Sequence, residues 1–177
     1  GARWIGMVYY PGSPRHLDIT ALAGLANQIE ALPYARPQRV LLTVDQTLAS
    51  LRALTAAARP DFLQLHGQET VGSAIAAKAE FGLPIIKMIP IETSADLATC
   101  AEWDSVADWF IFDAKVANGR QPGGTGHRFD WTILSQYHGR TPWMLAGGLD
   151  IDSVAEAVTI SGASAVDVSS GVERERG

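Results

Sequence analysis

The chain has 177 residues, 47% hydrophobic and 19% charged, which is one ordinary domain (1–177) with enough apolar mass for a core of its own. A net charge of −5 and a pI near 5.3 argue against a partner such as nucleic acid or an anionic membrane surface, since either needs a basic face. A small basic pocket for an anionic metabolite is still compatible with that balance.

Strand-like and helix-like segments alternate from the start. Trp4 to Tyr10 is a short, nearly continuous apolar run, stopped by Pro11-Gly12. A helix is predicted from about Asp18 to Ala31, because Ile19, Leu22, Leu25, Ile29 and Leu32 fall on one stripe. Arg39–Val44 reads as the next strand and Asp45–Ala58 as the next helix. Phe62–His66 is a strand ending at Gly67, followed by an alanine-rich helix from about Thr70 to Phe81. Gly82 and Pro84 then introduce the strand Ile85–Ile89.

Ser94 can cap a helix through about Glu102, its hydroxyl accepting from free first-turn amides. Trp109–Phe112 is a strand leading to Asp113 and a glycine-rich loop, 114–128. Phe129–Tyr137 can form a short helix, and Trp143–Ala146 is a strand ending in Gly147-Gly148. Asp150 or Asp152 is placed to cap a helix from Ser153 to Ile160. Ala165–Val168 then ends in Ser169-Ser170-Gly171. Seven short apolar strands joined by six helices imply a parallel sheet covered by helices. Polar and glycine residues recur at the strand ends, which favours an α/β barrel over an open doubly wound sheet. No Gly-x-Gly-x-x-Gly follows the first strand, which weakens a dinucleotide-binding reading.

No disulfide or cysteine-based metal site can be built from the one cysteine, Cys100, and His16, His66, His127 and His138 lack the i, i+4 spacing of a metal pair. No apolar run approaches the roughly 20 residues of a membrane span, and the first residues lack a signal-peptide layout. The expected location is the cytoplasm.

The strongest functional pair is Ala146-Gly-Gly-Leu149 with Asp167-Val-Ser-Ser-Gly171. Glycines expose amide N–H groups to a close ligand and serine hydroxyls add donors, the usual phosphate grip after the last two strands of a barrel. Taken alone, Gly147-Gly148 could equally be a tight turn. Asp113 ends an apolar strand, where its carboxyl would hold a proton at higher pH and could act as a general acid; a helix cap or a partner for Lys115 is the plainer alternative. The loop behind it, Gln121–Gly126, lacks the Lys-Ser/Thr ending of a P-loop and reads better as a lid. Arg15 at a strand end suits a carboxylate or phosphate, although a lone arginine is more often solvated. His66 has a similar standing, and Lys87 either enters the barrel or snorkels outward. Cys100 lies on a helix away from any strand end and reads as a small buried hydrophobe.

Five stretches in order and at matching spacing resemble the phosphoribosylanthranilate isomerase family: Gly6–Arg15, Leu63–Glu69, Phe112–Lys115 with Gly123–Trp131, Leu145–Leu149 and Val166–Glu173. The resemblance implies a (β/α)8 TIM barrel and an Amadori rearrangement of N-(5-phosphoribosyl)anthranilate to 1-(2-carboxyphenylamino)-1-deoxyribulose 5-phosphate, in tryptophan biosynthesis, without a cofactor. It implies that Asp113 is the general acid at the ring oxygen and that Arg15 holds the anthranilate carboxylate. Gly147, Gly148, Ser169 and Ser170 would hold the phosphate, while Gln64, His66 and Asp167 orient the sugar. The partner is then a small molecule, and the protein a monomer or homodimer when full-length. The family opens with a strand ending in a cysteine that serves as base, then a helix, a unit of roughly 20–30 residues by ordinary element lengths. That unit and the last helix are expected to be missing here, leaving seven strands, unpaired edges and little activity. The rivals are another sugar-phosphate barrel enzyme, such as indole-glycerol-phosphate synthase or a pentulose-phosphate epimerase, and a barrel remnant that binds a phosphorylated ligand without catalysis.

Overall fold

A computed structural model describes residues 1–115 and 129–173. Six strands follow chain order in the sheet, β1-β2-β3-β4-β5-β6: Trp4–Tyr9, Gln38–Thr43, Phe62–Leu65, Ile85–Ile91, Trp109–Ala114 and Trp143–Leu145. The chain divides into two compact units, Gly1–Ile86 and Lys87–Gly177.

In the first unit β1 pairs with β2 and β2 with β3, both parallel, with Tyr9 level with Thr43 and Thr43 level with Leu65. Parallel neighbours require crossovers, and the sequence supplies them as α1 (Ile19–Glu30), α2 (Leu48–Ala58) and α3 (Val71–Phe81). Each start is fixed by a side chain that satisfies a free first-turn amide: Asp18 accepts from Ala21, Thr47 from Ser50, and Thr70 from Ser73. Gly82 ends α3 at φ 64°, a left-handed conformation that favours glycine, and its N–H donates to the Lys78 carbonyl. Leu22, Ala26 and Ile29 of α1 and Leu51, Leu54 and Ala58 of α2 supply the buried stripes, with Met7, Leu41 and Leu63 buried from the strands.

The second unit is built around β5 and β6, parallel, with Phe110, Ile111 and Phe112 level with Trp143, Met144 and Leu145. Phe112 packs against Tyr137 (ring centroids 5.2 Å apart) and Trp143 (5.3 Å), and Phe110 against Tyr137 (6.2 Å). The helix expected after Ser94 is instead a 3-10 segment, Ser94–Thr99, followed by the single turn α4, Cys100–Trp103. Its start lies one residue earlier than expected: Asp96 Oδ2 accepts from the Glu92 (3.0 Å) and Thr93 (2.8 Å) amides. The segment before β6 is also 3-10, Trp131–Gln136. Asp150, one of the two expected caps, holds the start of α5 (Val154–Ser161) by accepting from the Ser153 amide at 2.9 Å and its hydroxyl at 2.6 Å.

The seven-strand expectation needs correction. Residues 165–168 do not form a strand; one parallel bridge joins Val166 to Leu145. Two hydrogen bonds carry it, Leu145 N–H to the Ala165 carbonyl (3.0 Å) and Asp167 N–H to the Leu145 carbonyl (2.8 Å). β6 is only three residues long and turns away at Gly147, at φ 91°, so the ladder has no room to continue.

Candidate functional site

In the first unit, Arg15 follows β1 in a turn closed by Ser13 N–H to the Tyr10 carbonyl (2.9 Å), and the Arg15 amide donates to Ser13 Oγ at 3.1 Å. The chain is drawn back toward the strand by Leu17 N–H to the Val8 carbonyl at 2.8 Å. Gln64 and His66 are two residues apart at the end of β3, hence on the same face. Both are buried, and Gln64 Nε2 lies 3.0 Å from His66 Nδ1. With the amide donating, the His66 proton belongs on Nε2. The plain reading of His66 as a histidine with its hydrogen bonding satisfied therefore fits, and it also leaves one ring nitrogen with a defined donor role.

Sequence reading missed how the loops after β2 and β3 are tied. Asp45 adopts φ 51°, and its Oδ1 accepts from the Gln68 amide at 2.6 Å. Glu69 reaches back to the Gly67 amide (2.9 Å) and the Asp45 amide (3.0 Å). A Cβ at Gly67 would occupy the space of the Asp45 carboxylate, so a side chain there would displace the carboxylate from its Gln68 amide. The signal was present in the sequence as an acidic residue closing one strand and a His-Gly closing the next. Arg39 was also missed as more than a strand residue. It is 5% exposed and shares Asp61 and Glu30 with Arg36, whose guanidinium makes a two-pronged contact with Asp61 (2.8 and 3.1 Å).

In the second unit, Asp113 lies inside β5, one residue beyond the strand end inferred from sequence. Burial raises its carboxyl to about 6; the Ala114 N–H, donating to Oδ1 at 2.7 Å, pulls the other way, and the nearby Asp167 charge pushes it up further. The alternative of an ion pair with Lys115 fails, because Lys115 Nζ lies 3.4 Å from Asp96 and 3.6 Å from Glu92. Gly147 stands directly against the acid. A Cβ there would come within 3.0 Å of Asp113 Oδ1 and 2.9 Å of the Ala114 nitrogen, and its φ of 91° already favours glycine. Gly148 follows at φ 64°.

The Ser169-Ser170-Gly171 turn rests on the same loop. Gly171 is bridged to Asp150, and a Cβ on it would collide with the Leu149 carbonyl. The unit thus gathers Asp113, Gly147, Gly148, Asp167 and the two serines around the ends of β5 and β6. Lys87 is buried at 5% exposure with its ammonium 5.0 Å from the Trp103 ring centroid, which settles its direction as toward the helix layer. Cys100 is 4% exposed, and burial, then the Asp104 charge, push its thiol up to about 12. The segment Gln121–Gly126, read as a lid, lies outside the described residues.

The model of the family described as N-(5'phosphoribosyl)anthranilate (PRA) isomerase matches residues 24–177. The N-(5'-phosphoribosyl)anthranilate isomerase of Rhodospirillum rubrum is 45% identical over 178 aligned positions, which span 100% of this chain and 82% of that protein. The chain belongs to this isomerase family. Solved family members agree in fold: the Thermotoga maritima enzyme matches with a TM-score of 0.83 at 27% identity, over 99% of this chain and 81% of its own. The Thermus thermophilus enzyme gives 0.81 at 29% identity, over 99% and 80%. The parallel α/β architecture of this chain is therefore that of the family's barrels. Among the described residues, no helix is long and apolar enough to cross a membrane.

Proposed function

We propose that this isomerase-family chain acts on N-(5'-phosphoribosyl)anthranilate by an Amadori rearrangement, converting the aminoaldose to 1-(2-carboxyphenylamino)-1-deoxyribulose 5-phosphate in tryptophan biosynthesis, in the cytoplasm. The observation that carries the reading is Asp113, an acid with its carboxyl raised to about 6, set beside a glycine–serine cradle. A carboxyl of that strength is about one-tenth protonated at pH 7, roughly a hundred times more than an ordinary aspartic acid, and can donate to an oxygen that gains electrons.

In this reading Asp113 protonates the furanose ring oxygen, the ring C–O bond breaks, and the nitrogen lone pair closes a Schiff base. A base other than these residues then takes the proton from sugar C2, giving the enamine, which tautomerises to the ketose. The amides of Gly147 and Gly148 and the hydroxyls of Ser169 and Ser170 take the phosphate. Arg15 takes the anthranilate carboxylate by a charge-assisted fork, and Gln64, His66 and Asp167 orient the sugar hydroxyls. Cys100 is excluded as the base that removes the C2 proton: a buried thiol raised to about 12 carries almost no thiolate at neutral pH. The test is calorimetric titration of the chain with the aminoketose product, alongside a double variant, Ser169→Ala with Ser170→Ala. Binding that weakens roughly 10-fold or more in the variant supports the cradle; equal binding refutes it.

A further inference from the structure

The end of β5, the residue after β6 and the bridged segment beyond it lie in one register. Phe112 is level with Leu145, and Leu145 with Val166, so the next residues, Asp113, Ala146 and Asp167, form a row across three parallel chains. The hydrogen bonds agree: Ala146 N–H donates to the Phe112 carbonyl and Asp167 N–H to the Leu145 carbonyl, both at 2.8 Å. Residues in one row share a face. The two aspartates therefore lie on the same side, two strand spacings apart, on either side of the buried Ala146.

We propose that Asp167 is a positioning residue for the acid: its carboxylate, held in this row, keeps the proton on Asp113 until the substrate takes it. This rests on Asp113 being the acid of the proposed reaction. The neighbours leave that field unopposed among the described residues. On the other flank Lys115 N–H donates to the Ile91 carbonyl at 3.0 Å, which puts uncharged Pro90 level with Asp113. The next residue on the same face of β5 is Lys115, and its ammonium is directed to Asp96 and Glu92. Asp113 itself receives one backbone N–H, from Ala114.

The proton is assigned to Asp113 and the charge to Asp167 from their surroundings. Desolvation raises both carboxyls, but Asp167 keeps an exposed surface while Asp113 is half-buried. The Asp167 charge adds to burial in raising Asp113, which puts the charge on Asp167 while Asp113 holds its proton. Its charge then acts on Asp113 past Ala146, with solvent ions reaching the exposed side of Asp167. When Asp113 gives up its proton the pair carries two like charges, and that repulsion favours recovery of the proton in the next step.

The experiment is a carboxyl-carbon NMR titration of Asp113 in the full chain, with and without Asp167→Asn. The wild-type midpoint near 6 is expected to fall in the variant by the share that the Asp167 charge adds to burial, staying above the ordinary aspartate value. Raising the salt from about 0.02 M to about 0.5 M should move the wild-type midpoint in the same direction by screening; this needs no variant to fold. The upper limb of the kcat–pH profile should follow the same shift. An Asp113 midpoint unmoved by both the substitution and salt overturns the proposal. Failure of the acid reading looks different: Asp113→Asn would then retain turnover while the titration still moved.

Discussion

Gly147→Ala offers a sharp test of how the acid and the cradle are packed together, because a second glycine of the same unit serves as its control. Both Gly147 (φ 91°) and Gly162 (φ 72°) occupy backbone that disfavours a side chain. At Gly162 an added Cβ meets nothing within 4 Å, so Gly162→Ala should cost only the conformational strain, about 1–2 kcal/mol. At Gly147 the same methyl comes within 2.9 Å of the Ala114 nitrogen, 3.0 Å of Asp113 Oδ1 and 3.2 Å of Ala114 Cβ. Two of those three atoms belong to a strand and cannot swing aside, which adds an overpacking cost of about 1–3 kcal/mol. The sum is about 2–5 kcal/mol. At roughly 2–4 °C per kcal/mol for a chain of this size, Gly162→Ala should lower Tm by about 2–8 °C and Gly147→Ala by clearly more, up to about 20 °C. Thermal unfolding followed by circular dichroism reads both. Equal losses in the two variants would refute the close approach of Gly147 to Asp113.

Two further outcomes follow from the charge pattern and one from the aromatic cluster. Arg36 holds the Asp61 carboxyl below the usual range, so its contribution to stability is present above the unfolded value and disappears as pH falls through the folded one. Asp61→Asn should therefore cost about 1–3 kcal/mol at neutral pH, where Arg39 is left buried beside a neutral group, and much less near pH 2, as urea unfolding at the two pH values would show. Asp113 has the opposite sign. Its folded value, about 6, lies above the unfolded one, so stability falls as pH rises from about 4 to 6 and the penalty persists above that. Asp113→Asn should stabilise the fold at pH 7 by about 1–3 kcal/mol while making little difference at pH 4; a loss at pH 7 would contradict the buried acid. In the aromatic cluster, Phe112→Ala should cost about 3–5 kcal/mol through the cavity it leaves, again read by urea unfolding.

Much of this molecule could be read from its sequence where local chemistry and periodicity agree. Asp18, Thr70 and Asp150 mark helix starts because their side chains satisfy free amides, and the long apolar stripe of α1 leaves one face to bury. Asp113, Gly147 and the Ser169-Ser170-Gly171 turn stood out in the sequence because glycine and polar residues interrupt or follow short apolar runs. Three features depended on partners far along the chain. Residues 165–168 have the composition of a strand, but strand formation needs a neighbouring ladder, and β6 ends after three residues. The segment after Ser94 has helical composition, yet Asp96 tightens its first turn by taking two backbone amides. The role of Gly67 comes from Asp45, 22 positions earlier, whose carboxylate fills the space beside it.

The central claim is that Asp113 donates the proton that opens the sugar ring. Its most direct measurement is turnover of N-(5'-phosphoribosyl)anthranilate by the full chain and by its Asp113→Asn variant, with product affinity measured on both. The account predicts a kcat lowered by about 10²–10⁴ with product binding changed by no more than a few-fold. Turnover close to that of the unsubstituted chain would contradict it.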